Sequence, residues 1–381
     1  MVEQHADGAA VWLRRDEAVR SLDYALRELA ERDDRLDAHL QGLRFAGKAT
    51  GKKPAMIDEN VSPCTKNCDE VSDGHTSMNP VSGSTLDECG SSGAFVVREV
   101  VRFAFFVRQP HRVLAPTVVE AIDRVIDLFP PPALSMFSVE SGDWIGSDAD
   151  GLKTEVRKRL IGKDKPINGT VSLSGNQANL PDFILDYEGF AIDRPAFGKS
   201  AASLRFNVSA TAFGPYLHAA LRLSREIAEL LDCSAGYIDL ALDGDQARIQ
   251  ALARRYRALD ISDPSCVAED IEDRLPGVFW QNIIGPRLAG ALGGRAMLES
   301  VLSGDARVEE TDSGGLVVTL GAAPIRGDVN RRGGLGDRAA IAHLALHRGL
   351  LHVPRDVTYF EPEDDLSDSE AQEKWHLRYV A

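Results

Sequence analysis

The run VVREVVRFAFFV at residues 96–107 decides the fold class. β-Branched and aromatic residues dominate it, the composition of a strand half or wholly buried in a sheet. After Pro116 the period changes from two to that of a helix. Val118, Val119, Ile122, Val125, Ile126 and Phe129 fall on one helical face, and Pro130-Pro131-Pro132 stop it. A short strand (134–140), a loop holding Trp144, a charged helix (149–161), a loop (163–182) and a strand (183–192) follow. The pattern then recurs: 203–209 matches the first strand, 216–231 the first helix, 235–242 the second strand and 246–259 the second helix. A spacing of about 100 residues is too long for a solenoid repeat and suits a duplicated α+β fold.

A third segment adds a strand (278–284), a helix (286–302) and a hairpin. The hairpin arms, 307–310 and 316–320, flank the turn sequence Asp312-Ser313-Gly314-Gly315, and one more helix starts after Gly336. The expectation is an α+β domain over 94–358, built of internally duplicated β-α-β-α units on a mixed or antiparallel sheet.

Outside that body the composition shifts. Residues 1–45 read as a short N-terminal helical segment, with Leu22, Leu26, Leu29, Leu36, Leu40 and Leu43 three, four or seven apart. Residues 46–93 are rich in Ser, Gly, Asn, Asp and Thr and poor in large apolar side chains. Such a stretch cannot bury enough surface to offset chain entropy, so it is expected to be a disordered linker. Residues 359–381 read as an acidic, solvated tail.

The 381-residue chain has a net charge of −15, with 44% hydrophobic and 27% charged residues. This balance argues against sequence-independent nucleic-acid binding, which needs a basic face, and permits a basic partner. No stretch approaches the roughly 18 consecutive apolar residues of a membrane helix. The N-terminus lacks the apolar core of a secretory signal, so no membrane contact and a cytoplasmic location are expected. Five cysteines, an odd number, argue against a closed disulfide framework.

Motifs that bear chemistry are weak. Cys64, Cys68, His75 and Cys89 lack the second tight pair of a zinc site and read as chance composition. His343 and His347 are four apart without the glutamate of a zinc protease, and with His352 they read as incidental on an amphipathic helix. Gly334-Leu335-Gly336-Asp337-Arg338-Ala339 fits G-x-G-x-x-A but lacks the preceding strand of a dinucleotide fold. Asp243-Gly244-Asp245 lies between a strand and a helix and reads as a turn and N-cap, not a carboxylate site with Asp239. No nucleophile elbow is present. No catalytic residue, metal ligand or cofactor is therefore assigned, and the expected activity is not enzymatic.

Three stretches carry a family resemblance: RFAFFVRQPHRVLAPTVVEAIDRVIDLFPP at 102–131, VFWQNIIGPRLAGALGG at 278–294 and GGLVVTLGAAPIRGDVNR at 314–331. Across about 95–355 the body resembles type VI secretion immunity proteins. The resemblance implies one-to-one capture of a cognate effector toxin, which in this family includes nucleases. Residues 1–45 resemble the opening of a HEAT-like helical-repeat family associated with the same gene clusters. A scaffold of the secretion locus, or less readily a hydrolase, is the alternative.

The segment DISDPSCVAEDIED at 260–273 holds six acids, Asp260, Asp263, Glu269, Asp270, Glu272 and Asp273, and no base. A charge run is ordinarily a solvated face. Its functional reading is a partner-binding surface, since acidic faces suit inhibitors of nucleases with basic clefts. Trp280, just beyond it, is expected in the core.

Overall fold

A computed structural model describes residues 86–352 and Tyr379, apart from 90–94, 140–141, 164–165, 177–179, 246–247, 250–251, 253–254, 257, 260–269 and 328–334. The expected helical segment at 1–45, and most of the expected linker and acidic tail, lie outside the described residues.

The elements run β1 (Glu88–Cys89), β2 (Phe95–Val107), α1 (His111–Leu128), β3 (Met136–Ser138), β4 (Trp144–Gly146), α2 (Ala149–Ile161), β5 (Gly169–Ser174) and β6 (Phe183–Gly189). They continue with β7 (Ala202–Ser209), a single turn α3 (Ala210–Phe213), α4 (Leu217–Leu230), β8 (Ala235–Gly244), β9 (Gln281–Ile284), α5 (Pro286–Ala291) and α6 (Gly294–Val301). The last are β10 (Ala306–Glu310), β11 (Leu316–Leu320) and α7 (Asp337–His347).

All eleven described strands join one antiparallel sheet. Its order is β10-β11-β9-β8-β2-β7-β6-β5-β3-β4, with β1 added against the start of β2. The α+β class holds, but the sheet is larger than two β-α-β-α units would supply. Its centre is the pair the sequence singles out as repeats: β2 and β7 run antiparallel from Val100↔Ser209 to Val107↔Ala202. Strands from between β2 and β7 in the sequence lie on the β7 side, and those after β7 lie on the β2 side.

Strand alternation sorts the core. Val101, Phe103, Phe105 and Val107 of β2 join Leu204, Phe206 and Val208 of β7 on the face covered by α1, α2 and α4. Phe103 and Phe206 stack at 4.3 Å between centroids. Val118, Ile122, Val125 and Ile126 of α1 are buried over them, as the helical period of the sequence requires. A second core lies between β9, β11 and α5–α7, including Leu288, Leu292, Leu298, Val318 and Ile341. Trp280 is buried, as expected, and its indole N–H donates to the Gly321 carbonyl at 3.2 Å.

Several boundaries differ from the sequence reading. α1 begins at His111 and contains Pro116 rather than starting after it. The stretch read as a 163–182 loop carries β5, and the loop around Trp144 carries β4. The expected helix 286–302 is two helices, because Gly293 and Gly294 adopt φ of 92° and 73°, which interrupts the helical backbone. The linker reading fails at its end: Glu88 and Cys89 pair with Val97 and Phe95. The tail reading fails at Tyr379, which is buried in the second core and whose hydroxyl accepts the Val278 N–H at 3.3 Å. No helix among the described residues is long and apolar enough to cross a membrane.

Candidate functional site

The face of β2 opposite α1 carries Arg98, Val100, Arg102, Ala104 and Phe106. Its two halves have different fates. At the Phe106 end, Ala104 and Phe106 pack with Tyr237, Ile271 and Phe279 in a third small core. Tyr237 and Phe279 stack at 3.8 Å. The residues around Ile271 therefore lie over that half of the sheet. At the Arg98 end the face is lined by charged and polar side chains around a groove of about 310 Å³.

Alternation builds the groove. Ser172 of β5, Asp186 of β6 and Arg205 of β7 occupy one line across the sheet, through the register pairs Ser172↔Asp186 and Asp186↔Arg205. Ile184, Asn207 and Arg102 form the next line, through Ile184↔Asn207 and Arg102↔Asn207. Their neighbours along each strand point to the core, so charge and apolar burial coexist within single strands.

Most of the charge is matched within the groove. Arg102 donates to Asp243 at 2.7 Å, and the Asn207 amide donates to the other oxygen of Asp243 at 2.6 Å. Arg98 pairs with Asp182 and donates to the Leu180 carbonyl at 2.7 Å. Arg205 stands 3.7 Å from Glu188. Asp186 differs: its hydrogen bond comes from the Ser172 hydroxyl at 2.6 Å, and it makes no ion pair among the described residues. Burial pushes the Asp186 carboxyl above the ordinary range. Ser172 and Arg205 pull it back, while Glu188 and Asp243 push it further. The Nε–H of Arg205 is buried without an acceptor.

Two other carboxylates are structural. Asp239 is fully buried against Arg338 at 2.7 Å and accepts the Leu240 and Trp280 N–H groups. Burial pushes it up to about 6 against the pull of Arg338. Glu99 is held by Arg326 through two bonds of 2.6 Å, and by the Leu86 N–H. Asp245 accepts the Arg248 N–H at 3.0 Å, the helix-capping role read from the sequence. The aspartates of β8 are thus separated: Asp239 ties α7 to the sheet and Asp243 belongs to the groove.

Of the acidic segment, Asp260, Asp263 and Glu269 lie outside the described residues. Asp270 is 3.7 Å from Arg274 and 3.4 Å from the ring of His352. Asp273 pairs with Arg287 at 2.5 Å, and Glu272 makes no ion pair among the described residues. The buried Ile271 places residues 270–273 on the same face of the sheet that carries the groove. Among the described residues no group of three or more His, Cys, Asp or Glu is placed to hold a metal. Sequence reasoning missed Asp186, Arg205 and Arg102. Their signal was charge inside strands that otherwise alternate with buried apolar residues.

A family model described as TsiV, type VI immunity for VRR-NUC, matches residues 117–379. The chain belongs to this immunity family. The match takes in the helices over the main core, the groove strands β5–β8 and the second core with Tyr379, and so runs beyond the boundary at 358 read from the sequence. A solved structure titled Pseudomonas aeruginosa T6SS protein PA0821 is similar at a TM-score of 0.61 and 16% identity, covering 77% of this chain and 87% of that one. At that identity the likeness is one of fold. No curated protein matches the chain.

Proposed function

We propose that the protein neutralises a VRR-NUC effector by stoichiometric, non-catalytic capture in the cytoplasm, where such a nuclease would meet nucleic acid. The observation that carries this reading is the family match over 117–379. The physical setting agrees. The chain carries −15 net charge, and an acidic inhibitor is drawn to the basic surface a nuclease presents to its substrate.

Within this reading the segment Asp260, Asp263, Glu269, Asp270, Glu272 and Asp273 steers the encounter. Asp270 and Asp273 already have basic neighbours in their own chain, so the segment acts through its summed field rather than through single contacts. The body from Leu86 onward is the inhibitor. The N-terminal segment resembling helical repeats is not required for capture.

The test is direct. Co-expression should rescue cells from the neighbouring VRR-NUC effector, and the purified pair should co-elute as one complex. A protein that gives no protection and binds no neighbouring gene product is not an immunity protein. One that binds several secretion components without protecting is a scaffold.

A further inference from the structure

We propose that the partly exposed face of β5, β6 and β7, beside the Arg102 end of β2, is where the effector docks, and that its groove receives a basic side chain of the nuclease against Asp186. The proposal rests on the immunity reading and names the surface that reading requires.

Covering comes first. The opposite face of these strands is sealed by α1, α2 and α4. On the groove face, the half near Phe106 is covered by the residues around Ile271 and Phe279. The half bearing Thr170, Ser172, Asp186, Arg205 and Asn207 is not closed in this way: Thr170 is exposed and the other four are half-buried. Strands hydrogen-bonded on both sides make a rigid platform, which suits a site that must hold its geometry before the partner arrives.

Charge selects the occupant. Asp186 and Asp243 line the groove together with Arg98, Arg102 and Arg205, and Asp182 and Glu188 pair with two of those arginines. Asp243 is held by Arg102 and Asn207, Asp182 by Arg98, and Glu188 lies beside Arg205. Each guanidinium is thereby committed to an acid, so an anionic ligand would have to displace one. Asp186 is left with a hydroxyl partner alone. Arg205 lies opposite Asp186 in register and attracts it, but its ion pair is with Glu188. A half-buried carboxylate without a direct ion pair is a cost to folding, and such groups concentrate at functional sites. A lysine or arginine entering the groove would remove that cost, and about 310 Å³ admits a side chain rather than a peptide domain. Asp270, Glu272 and Asp273, beside the buried Ile271, add a longer-range field on the same face.

The test uses full-length protein and the purified neighbouring effector, with affinity and melting temperature measured for each variant. Asp186→Asn keeps the Ser172 hydrogen bond and removes the charge. It should bind roughly ten- to a hundredfold more weakly, with a melting temperature equal to or above the wild type. Thr170→Arg alters only an exposed position on the same face, adding bulk and positive charge, and should also weaken binding at least about tenfold. It decides the matter if Asp186→Asn folds poorly. Wild-type affinity in a folded Asp186→Asn, or in Thr170→Arg, overturns the groove as docking site while leaving the immunity reading intact. If the wild-type protein itself does not bind the effector, the immunity reading fails and the groove assignment fails with it.

Discussion

His111 and Tyr187 form a polar pair inside the apolar core, with the imidazole Nδ1 2.9 Å from the phenol oxygen. Both are buried, and the ring lies over Gly169 and Gly189, which face each other across β5 and β6. Burial holds the His111 pKa below its ordinary value, with the Leu160 carbonyl opposing. A histidine whose folded pKa is lowered leaves stability intact above the unfolded value, near 6.5. That stability is lost as pH falls from there toward the folded pKa, because the unfolded chain takes up the proton first. Wild-type melting temperature should fall across this window, and His111→Gln should flatten the slope, by at most about 1.4 kcal/mol per pH unit. Asp239, pushed up to about 6, works in the opposite sense: the fold binds its proton first, and its share of stability rises as pH falls. The difference between the two curves isolates His111. Identical pH profiles for the two proteins would show that the pair is not acid-sensitive.

The two glycines beneath this ring are a steric requirement. A Cβ on Gly169 would collide with the His111 ring, and one on Gly189 with the Tyr187 hydroxyl. Gly169→Ala and Gly189→Ala should each cost about 1–3 kcal/mol, measured as a lower urea midpoint. A nearby glycine gives the control: Gly198 has ordinary contact distances around a Cβ, so Gly198→Ala should be close to neutral.

Asp239 and Arg338 connect the centre of β8 to α7 across 99 residues of sequence. Removing one partner strands the other in the core. Asp239→Leu or Arg338→Met alone should lose about 3–5 kcal/mol, whereas the two together should lose less than the sum. Denaturant titrations of the four proteins in a cycle would show this. Additive losses would mean the pair is not coupled.

Where the body begins can be found by truncation. A chain starting at Thr85 keeps the Leu86 N–H on Glu99 and the Asp87 carboxylate on the Glu99 N–H. A chain starting at Ala94 loses both, together with β1. The first should melt close to the full-length protein, and the second should be less stable by about 1–3 kcal/mol. Equal stability of the two would assign β1 no part in the fold.

The sequence disclosed those parts of the fold in which a single period runs unbroken. β2 and α1 each bury a continuous apolar set, and the Asp312–Gly315 turn names its own hairpin. β5 was hidden because its outward residues, Thr170 and Ser172, are small and polar, and it lies among loop-forming residues. The groove was hidden for a related reason. Asp186 and Arg205 are adjacent through strand pairing, and pairing between segments read separately is not visible in local periodicity. The acidic segment was conspicuous because its charges are neighbours in sequence, although two of them are paired within the fold.

The position of β2 sets a condition on timing. It is the first long strand of the body to be synthesised, yet its two flanks are supplied by β7, where Val107 meets Ala202, and β8, where Val97 meets Gly244. A ribosome adding about 5–20 residues per second leaves the apolar strand without either flank for several seconds. Pairings this distant in sequence also close slowly once the chain is complete. Protection raised only at the moment of attack would therefore lag behind synthesis and pairing. A stock of folded protein made before delivery would act without that delay.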